Sequence, residues 1–201
     1  MDKESINHNI FESYKKKNFA ALNKNPIKIQ EKVLNFLISK GRNTAFGQAH
    51  HFSAINDYAH FSKNIPIRTY EEFSIFIERA RKGEQNVLWP GKIKWFAKSS
   101  GTTNAKSKFI PVSPESLEDC HYAASKDLLC LYLNNNENSQ LFTGKSLRLG
   151  GSKELYRENG TVFGDLSAIL IDNMPFWATY SSTPNNEISL MSDFEAKMQA
   201  V

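Results

Sequence analysis

The sequence predicts a mixed α/β fold, sheets flanked by helices, and three observations carry that prediction. Apolar residues recur at helical spacing in several stretches, among them Phe73, Phe76, Ile77 and Ala80. Ile93, Trp95 and Ala97 alternate as in a strand, and an extended apolar run, Phe109 to Val112, follows twelve residues later. After Ser113-Pro114 a long helical pattern begins, so both periodicities interleave along one chain.

Size and composition agree with a folded domain. The chain has 201 residues, 40% of them hydrophobic and 23% charged, with a formal charge of +4. Its lysines are scattered among glutamates, which argues against a nucleic-acid or membrane surface. Cys120 and Cys130 fall in one predicted helix, about 15 Å apart along its axis, and cannot pair there. With no signal peptide, long apolar run or cysteine framework, the expected compartment is the cytoplasm.

The elements follow in order. Ile6, Ile10, Tyr14 and Ala21 predict a first amphipathic helix, and Ile29, Val33, Phe36 and Leu37 give a second its buried side. Asn25-Pro26 separates the two and Gly41 stops the second, an antiparallel helical start. Residues 43 to 67 carry His50, His51 and His60, without a cysteine or carboxylate cluster at metal-ligand spacing, and read as ordinary loop or core histidines. Thr69 with Glu72 three residues on is a capping box that opens the next helix, and Gly83 closes it.

Pro90-Gly91 turns the chain into the Ile93 to Ala97 strand. Beyond the second strand, Ser113 as N-cap and Pro114 at the first helical position start a helix to about Leu133. Its expected stripe is Leu117, His121 or Cys120, Ala124, Leu128 and Leu131. Residues 134–140, "NNNENSQ", form a surface loop, "SLRLGGS" a strand ending in a Gly-Gly turn, and "LYRENGTVFG" a hairpin around Asn159 and Gly160. Leu190, Phe194, Met198 and Val201 step along a last helix behind Ser192 or Asp193. A helix that is apolar to its end predicts the front part of a longer protein.

The stretch "KWFAKSSGTTNAKSKFIP" lies between the two strands. Ser99 to Thr103 offer backbone N–H groups and hydroxyls with little steric obstruction, and Lys106 and Lys108 add positive charge, a combination that suits polyphosphate oxygens. It is not a Walker A loop, because counting from Gly101 as the first position the sixth is Lys106 rather than glycine. Nor is it G-x-G-x-x-G, since Gly101 stands alone. By composition alone a plain polar turn is the favoured reading. A Ser–His–Asp hydrolase built on Ser99 or Ser100, His121 and Asp165 lacks the nucleophile elbow, as residues 97–101 read "AKSSG".

The order of these residues resembles the ATP-phosphate motif S-S-G-T-[TS]-x-G-x-x-K-x-[IL]-P of the Gretchen Hagen family. These are auxin-responsive acyl-acid amido synthetases and their bacterial relatives, within the adenylate-forming superfamily. Ser99, Ser100, Gly101, Thr102, Thr103, Lys108 and Pro111 match position by position, while Ala105 stands where the family usually has glycine. "NTAFG", "IPIRTYEEF", "WFAKSSGTT" and "LRLGGS" are similar to the same family's N-terminal portion.

The resemblance implies the N-terminal portion of the large domain of an adenylating enzyme, with residues 1–90 a mainly helical lead-in, 91–201 the strand, phosphate-loop and helix region, and the C-terminal lid absent. It implies ATP and Mg²⁺ as cofactors, with Ser99 to Thr103, Lys106 and Lys108 on the phosphates. The partners it implies are a carboxylic acid, activated as an acyl-adenylate, and an amine, an amino acid, that takes the acyl group. A ligase passing the acyl group to a thiol and a non-catalytic truncated remnant or binding module are the alternatives. The 201-residue chain alone is expected to be inactive.

Overall fold

The computed structural model describes residues 24–99, 107–136, 138–148, 150, 155–158 and 160–201. Among these, residues 24–113 with Arg157–Phe163 form one compact unit, and Pro114–Tyr156 with Gly164–Val201 form another. The first expected helix, residues 6–21, lies outside the described residues.

In the first unit, α1 (Pro26–Gly41) starts where the Asn-Pro pair places it, with the Asn25 side chain accepting from Lys28 N–H at 3.1 Å. Its buried stripe differs from expectation. Ile38 and Gly41 are buried and Leu34 packs on the same cluster, whereas Val33, Phe36 and Leu37 are exposed. The helix carries two apolar stripes about 100° apart, and periodicity alone does not choose between them.

A tight turn then leads to α2 (Ala45–Ala49). The buried Thr44 hydroxyl donates to Gly41 O at 2.7 Å and accepts from Gly47 N–H at 3.0 Å. The free N–H groups of Ala45 and Phe46 donate to Asn86 O and Val87 O, so the α2 amino end is satisfied by a distant loop. A Cβ on Gly47 would stand 2.0 Å from Gly41 O, which is why "NTAFG" ends in glycine. Next come a 3₁₀ turn (Phe52–Ala54) and α3 (Tyr58–Asn64).

The predicted capping box opens α4 (Tyr70–Arg81): Glu72 N–H donates to the Thr69 hydroxyl, and Thr69 N–H donates to the Glu72 carboxylate at 2.6 Å. Gly83 closes it at φ +90. Phe73 and Phe76 of α4 join two clusters, one around Ile38, Phe46, Phe52 and Ile55, the other around Ile77, Ala80, Val87, Ile93, Phe96 and Phe163. The helix is thus the shared wall of both.

The four-stranded sheet has the order β2-β1-β5-β4, with β1 Trp95–Ser99, β2 Lys108–Val112, β4 Tyr156–Glu158 and β5 Thr161–Gly164. β1 and β2 are antiparallel, in a register that pairs Trp95 with Val112 and Ser99 with Lys108. Ile93 and Ala97 are buried as the alternation predicts, but so is Phe96, which stacks on Phe163 at 5.5 Å between ring centres. At Phe96 and Ala97 β1 is thus covered on both faces. Gly160, at φ +72, makes the predicted β4–β5 hairpin turn.

In the second unit the predicted long helix begins at Pro114, but its first part, Ser116–Tyr122, is π-helical before α5 (Ala123–Asn135). This overturns the expected stripe. Leu117, Tyr122 and Cys130 are buried, whereas Cys120 and Ala124 are exposed, with Leu128 at 68% and Leu131 at 47%. Hydrogen bonds to the fifth residue widen each turn, so the face predicted for 3.6 residues per turn drifts away from the core. Neither cysteine is in a disulfide.

The remainder of this unit consists of short elements. β3 (Ser146–Leu147) pairs in parallel with β6 (Ser182–Thr183), and α6 (Leu166–Asp172), α7 (Phe176–Tyr180), α8 (Asn186–Ser189) and α9 (Phe194–Ala200) surround them in sequence. Asp193 caps α9 as expected, accepting from Ala196 N–H. Its buried residue is Lys197, 1% exposed, whose ammonium donates to Gly150 O at 3.3 Å, while Phe194, Met198 and Val201 are exposed. The four-carbon lysine stem fills the space that the apolar pattern assigned to its neighbours.

Gly47→Ala is expected to cost about 3 kcal/mol or more, because the added methyl meets a backbone carbonyl that cannot rotate away. Thr44→Ala should cost about 1 kcal/mol, the loss of one cap. Chemical denaturation of the two variants checks both the values and their order.

Candidate functional site

Ser99 ends β1 and Lys108 begins β2, and the register sets them opposite each other. Of the predicted site residues these two are described, and both are half-buried. Ser100, Gly101, Thr102, Thr103 and Lys106, with Ala105, lie outside the described residues.

What holds the Lys108 end in place comes from α4. Phe109 N–H donates to the Tyr70 hydroxyl at 2.8 Å, and that hydroxyl donates on to Phe109 O at 3.4 Å. β2 is an edge strand, so Tyr70 satisfies outward-facing groups that β1 does not reach. One residue along, the Lys108 ammonium lies 5.0 Å from the centre of the Tyr70 ring and 3.4 Å from a Glu71 carboxylate oxygen. The Glu71 carboxyl sits below its ordinary value, held there mainly by its own backbone N–H; burial, next in size, opposes this, and the Lys108 ammonium lowers it further.

Further along α4, the Arg81 guanidinium lies 3.9 Å from the Phe109 ring centre and donates to Glu78 at 2.6 Å. In the charged run "RARK", Arg79 pairs with Glu84 on an exposed face, whereas half-buried Arg81 packs on β2. Together these side chains line a groove of about 550 Å³ with Ser74, Ser107, Lys108 and Phe109.

Tyr70 and Glu71 were not singled out from the sequence. The available signal was Tyr70 three residues before Phe73, on the same face as the buried stripe. Which strand that face would meet is a tertiary fact.

The histidines are placed by ordinary bonds. His50 Nε2 accepts from Arg68 at 2.9 Å and Nδ1 donates to Phe46 O at 2.9 Å, while His60 pairs with Asp57. In the other unit, His121 lines a cavity of about 230 Å³ with Ser125, Arg148 and Met174. Arg148 donates to the Met174 sulfur, and burial lowers its pKa. The neighbouring Tyr122 hydroxyl donates to Leu170 O at 2.9 Å, and burial, followed by the Glu118 and Asp172 carboxylates, pushes it up to about 12. Among the described residues no group of three or more His, Cys, Asp or Glu converges on a metal site, and no helix is long and apolar enough to cross a membrane.

Comparison with known proteins decides the family. The model of the GH3 family N-terminal domain matches residues 15–201. The chain belongs to the GH3 family.

Jasmonoyl-L-amino acid synthetase JAR4 of Nicotiana attenuata is 27% identical over 187 residues, 90% of this chain and 32% of that one. Indole-3-acetic acid-amido synthetase GH3.15 of Arabidopsis thaliana is 32% identical over 98 residues, 48% of this chain and 16% of that one. A solved GH3.15 acyl acid amido synthetase superposes with a TM-score of 0.74 at 23% identity, over 89% of this chain and 31% of that one. The GH3 resemblance and the mixed α/β class read from the sequence both hold. The chain spans about a third of the length of JAR4.

Two outcomes are expected. Tyr70→Phe removes the partner of Phe109 N–H and should cost about 1–2 kcal/mol, with faster hydrogen exchange at that amide. Tyr122 remains neutral in the fold between its ordinary value near 10 and about 12, while the unfolded chain ionises there. Stability should therefore fall as pH rises through that window, and Tyr122→Phe should flatten the fall in denaturation curves taken across it.

Proposed function

We propose that this chain carries the ATP-phosphate loop of an acyl-acid amido synthetase. In this reading a carboxylic acid is activated as an acyl-adenylate and then transferred to an amine, an amino acid, in the cytoplasm. The observation that carries the reading is the ordered motif from Ser99 to Pro111 mounted on the β1–β2 stem, in a chain of GH3 membership.

The chemistry of the first step suits such a stem. Attack of a carboxylate on the α-phosphate needs in-line placement and neutralised phosphate charge, not a protein nucleophile. Donors crowded between two paired strand ends, with the Lys108 ammonium at one foot, fit the β- and γ-phosphates. Ser99 to Thr103, Lys106 and Lys108 would hold them. With no cluster of metal ligands among the described residues, Mg²⁺ in this reading arrives on the phosphates.

The relatives' names include jasmonoyl and indole-3-acetic acid amide synthetases, and one solved GH3.15 is in complex with 2,4-DB. These support an acid and an amino acid as the two organic partners here.

Pyrophosphate exchange by the full-length protein across a panel of carboxylic acids tests the reading. Exchange with at least one acid, followed by amide formation with an amino acid, is the expected result. Thioester formation with a thiol acceptor in place of the amide would favour the other ligase class, and no exchange with any acid would reject adenylation. Lys108→Ala should weaken Mg·ATP binding about tenfold, the worth of one charge-assisted contact.

A further inference from the structure

Lys108 has two partners on α4 in this structure: the Glu71 carboxylate at 3.4 Å and the Tyr70 ring at 5.0 Å. An ammonium has one positive charge and a short reach, so a carboxylate in contact with it and a phosphate oxygen compete for the same charge. Glu71 sits in the first turn of α4, behind Thr69 and beside the capping-box residue Glu72, and that turn is anchored to β2 through Tyr70 and Phe109. The carboxylate is thus delivered to Lys108 by fixed backbone rather than by a chance surface encounter.

We propose that Glu71 is a resident competitor for the Lys108 ammonium, and so a residue that sets the affinity of the phosphate grip. The proposal rests on the reading of Lys108 as a phosphate contact. A ligand takes the lysine only by displacing one carboxylate, a cost that is the same for every phosphate group that does so. Glu71 thereby raises the ligand concentration at which the site fills. The Tyr70 ring keeps the released ammonium beside the stem rather than letting it range into solvent.

The pair is open to solvent, half-buried Lys108 with 43% and Glu71 with 62% of its side chain accessible, so its strength belongs in the range of surface ion pairs. The effect of releasing Lys108 is accordingly about two- to fivefold in affinity.

The test is a double-mutant cycle in the full-length protein, using Glu71→Gln, Lys108→Ala and the double variant. Calorimetry with Mg·ATP and with inorganic phosphate reads affinity, and thermal melting confirms the fold of each variant. Glu71→Gln should tighten Mg·ATP about two- to fivefold, tighten inorganic phosphate by a similar factor wherever it takes the same lysine, and lower KM for ATP. The gain should shrink as salt rises, and vanish in the Lys108→Ala background.

Unchanged or weaker binding in Glu71→Gln, or an equal gain with Lys108 absent, overturns the competition. If Lys108→Ala alone leaves Mg·ATP affinity unaltered, the phosphate role of Lys108 fails instead, and the two failures are separately visible.

Discussion

The antiparallel register that places Ser99 opposite Lys108 is the constraint on which the site depends. Cα partners in such a ladder are about 5 Å apart. Ser99 and Lys108 therefore stand side by side at one end of the β1–β2 stem. That stem is well founded: Phe96 and Ala97 of β1 are buried, and Phe96 stacks on Phe163 of β5, the neighbour on the other side.

β2 is the weaker member, because it lies at the edge. Its support comes from α4, whose Tyr70 hydroxyl closes the outward backbone groups of Phe109 and whose Arg81 covers the Phe109 ring. The same helix forms the wall shared by two aromatic and aliphatic clusters. Packing, edge protection and the electrostatics of Lys108 thus meet on one helix of twelve residues. The Thr69 capping box sets where that helix starts, and so where Tyr70 and Glu71 point.

Features controlled by local chemistry were legible in the sequence. The Asn25-Pro26 start, the Thr69–Glu72 box, the Gly83 and Gly160 turns and the Asp193 cap are each specified within four residues, and each stands where the pattern puts it. Faces were harder. On α1 two stripes compete, and on the helix from Pro114 a π-helical segment changes the angle per residue, so Leu128 and Leu131 face out. Lys197 could not be found by a hydrophobic pattern, because its burial depends on Gly150 O, 47 residues away. Glu71 opposite Lys108 is the same kind of fact. An ordered motif marks the loop and its lysine, but the residue that competes for that lysine is set by how α4 docks on β2.

The proposed phosphate grip rests on the convergence of GH3 membership with the β1–β2 stem geometry. Hydrogen exchange of the full-length protein with and without Mg·ATP examines that convergence most directly. Added protection centred on residues 99 to 109, with altered exchange at the start of α4 as Lys108 leaves Glu71, is the predicted result. Nucleotide-dependent protection elsewhere, with residues 99 to 109 unchanged, would contradict it.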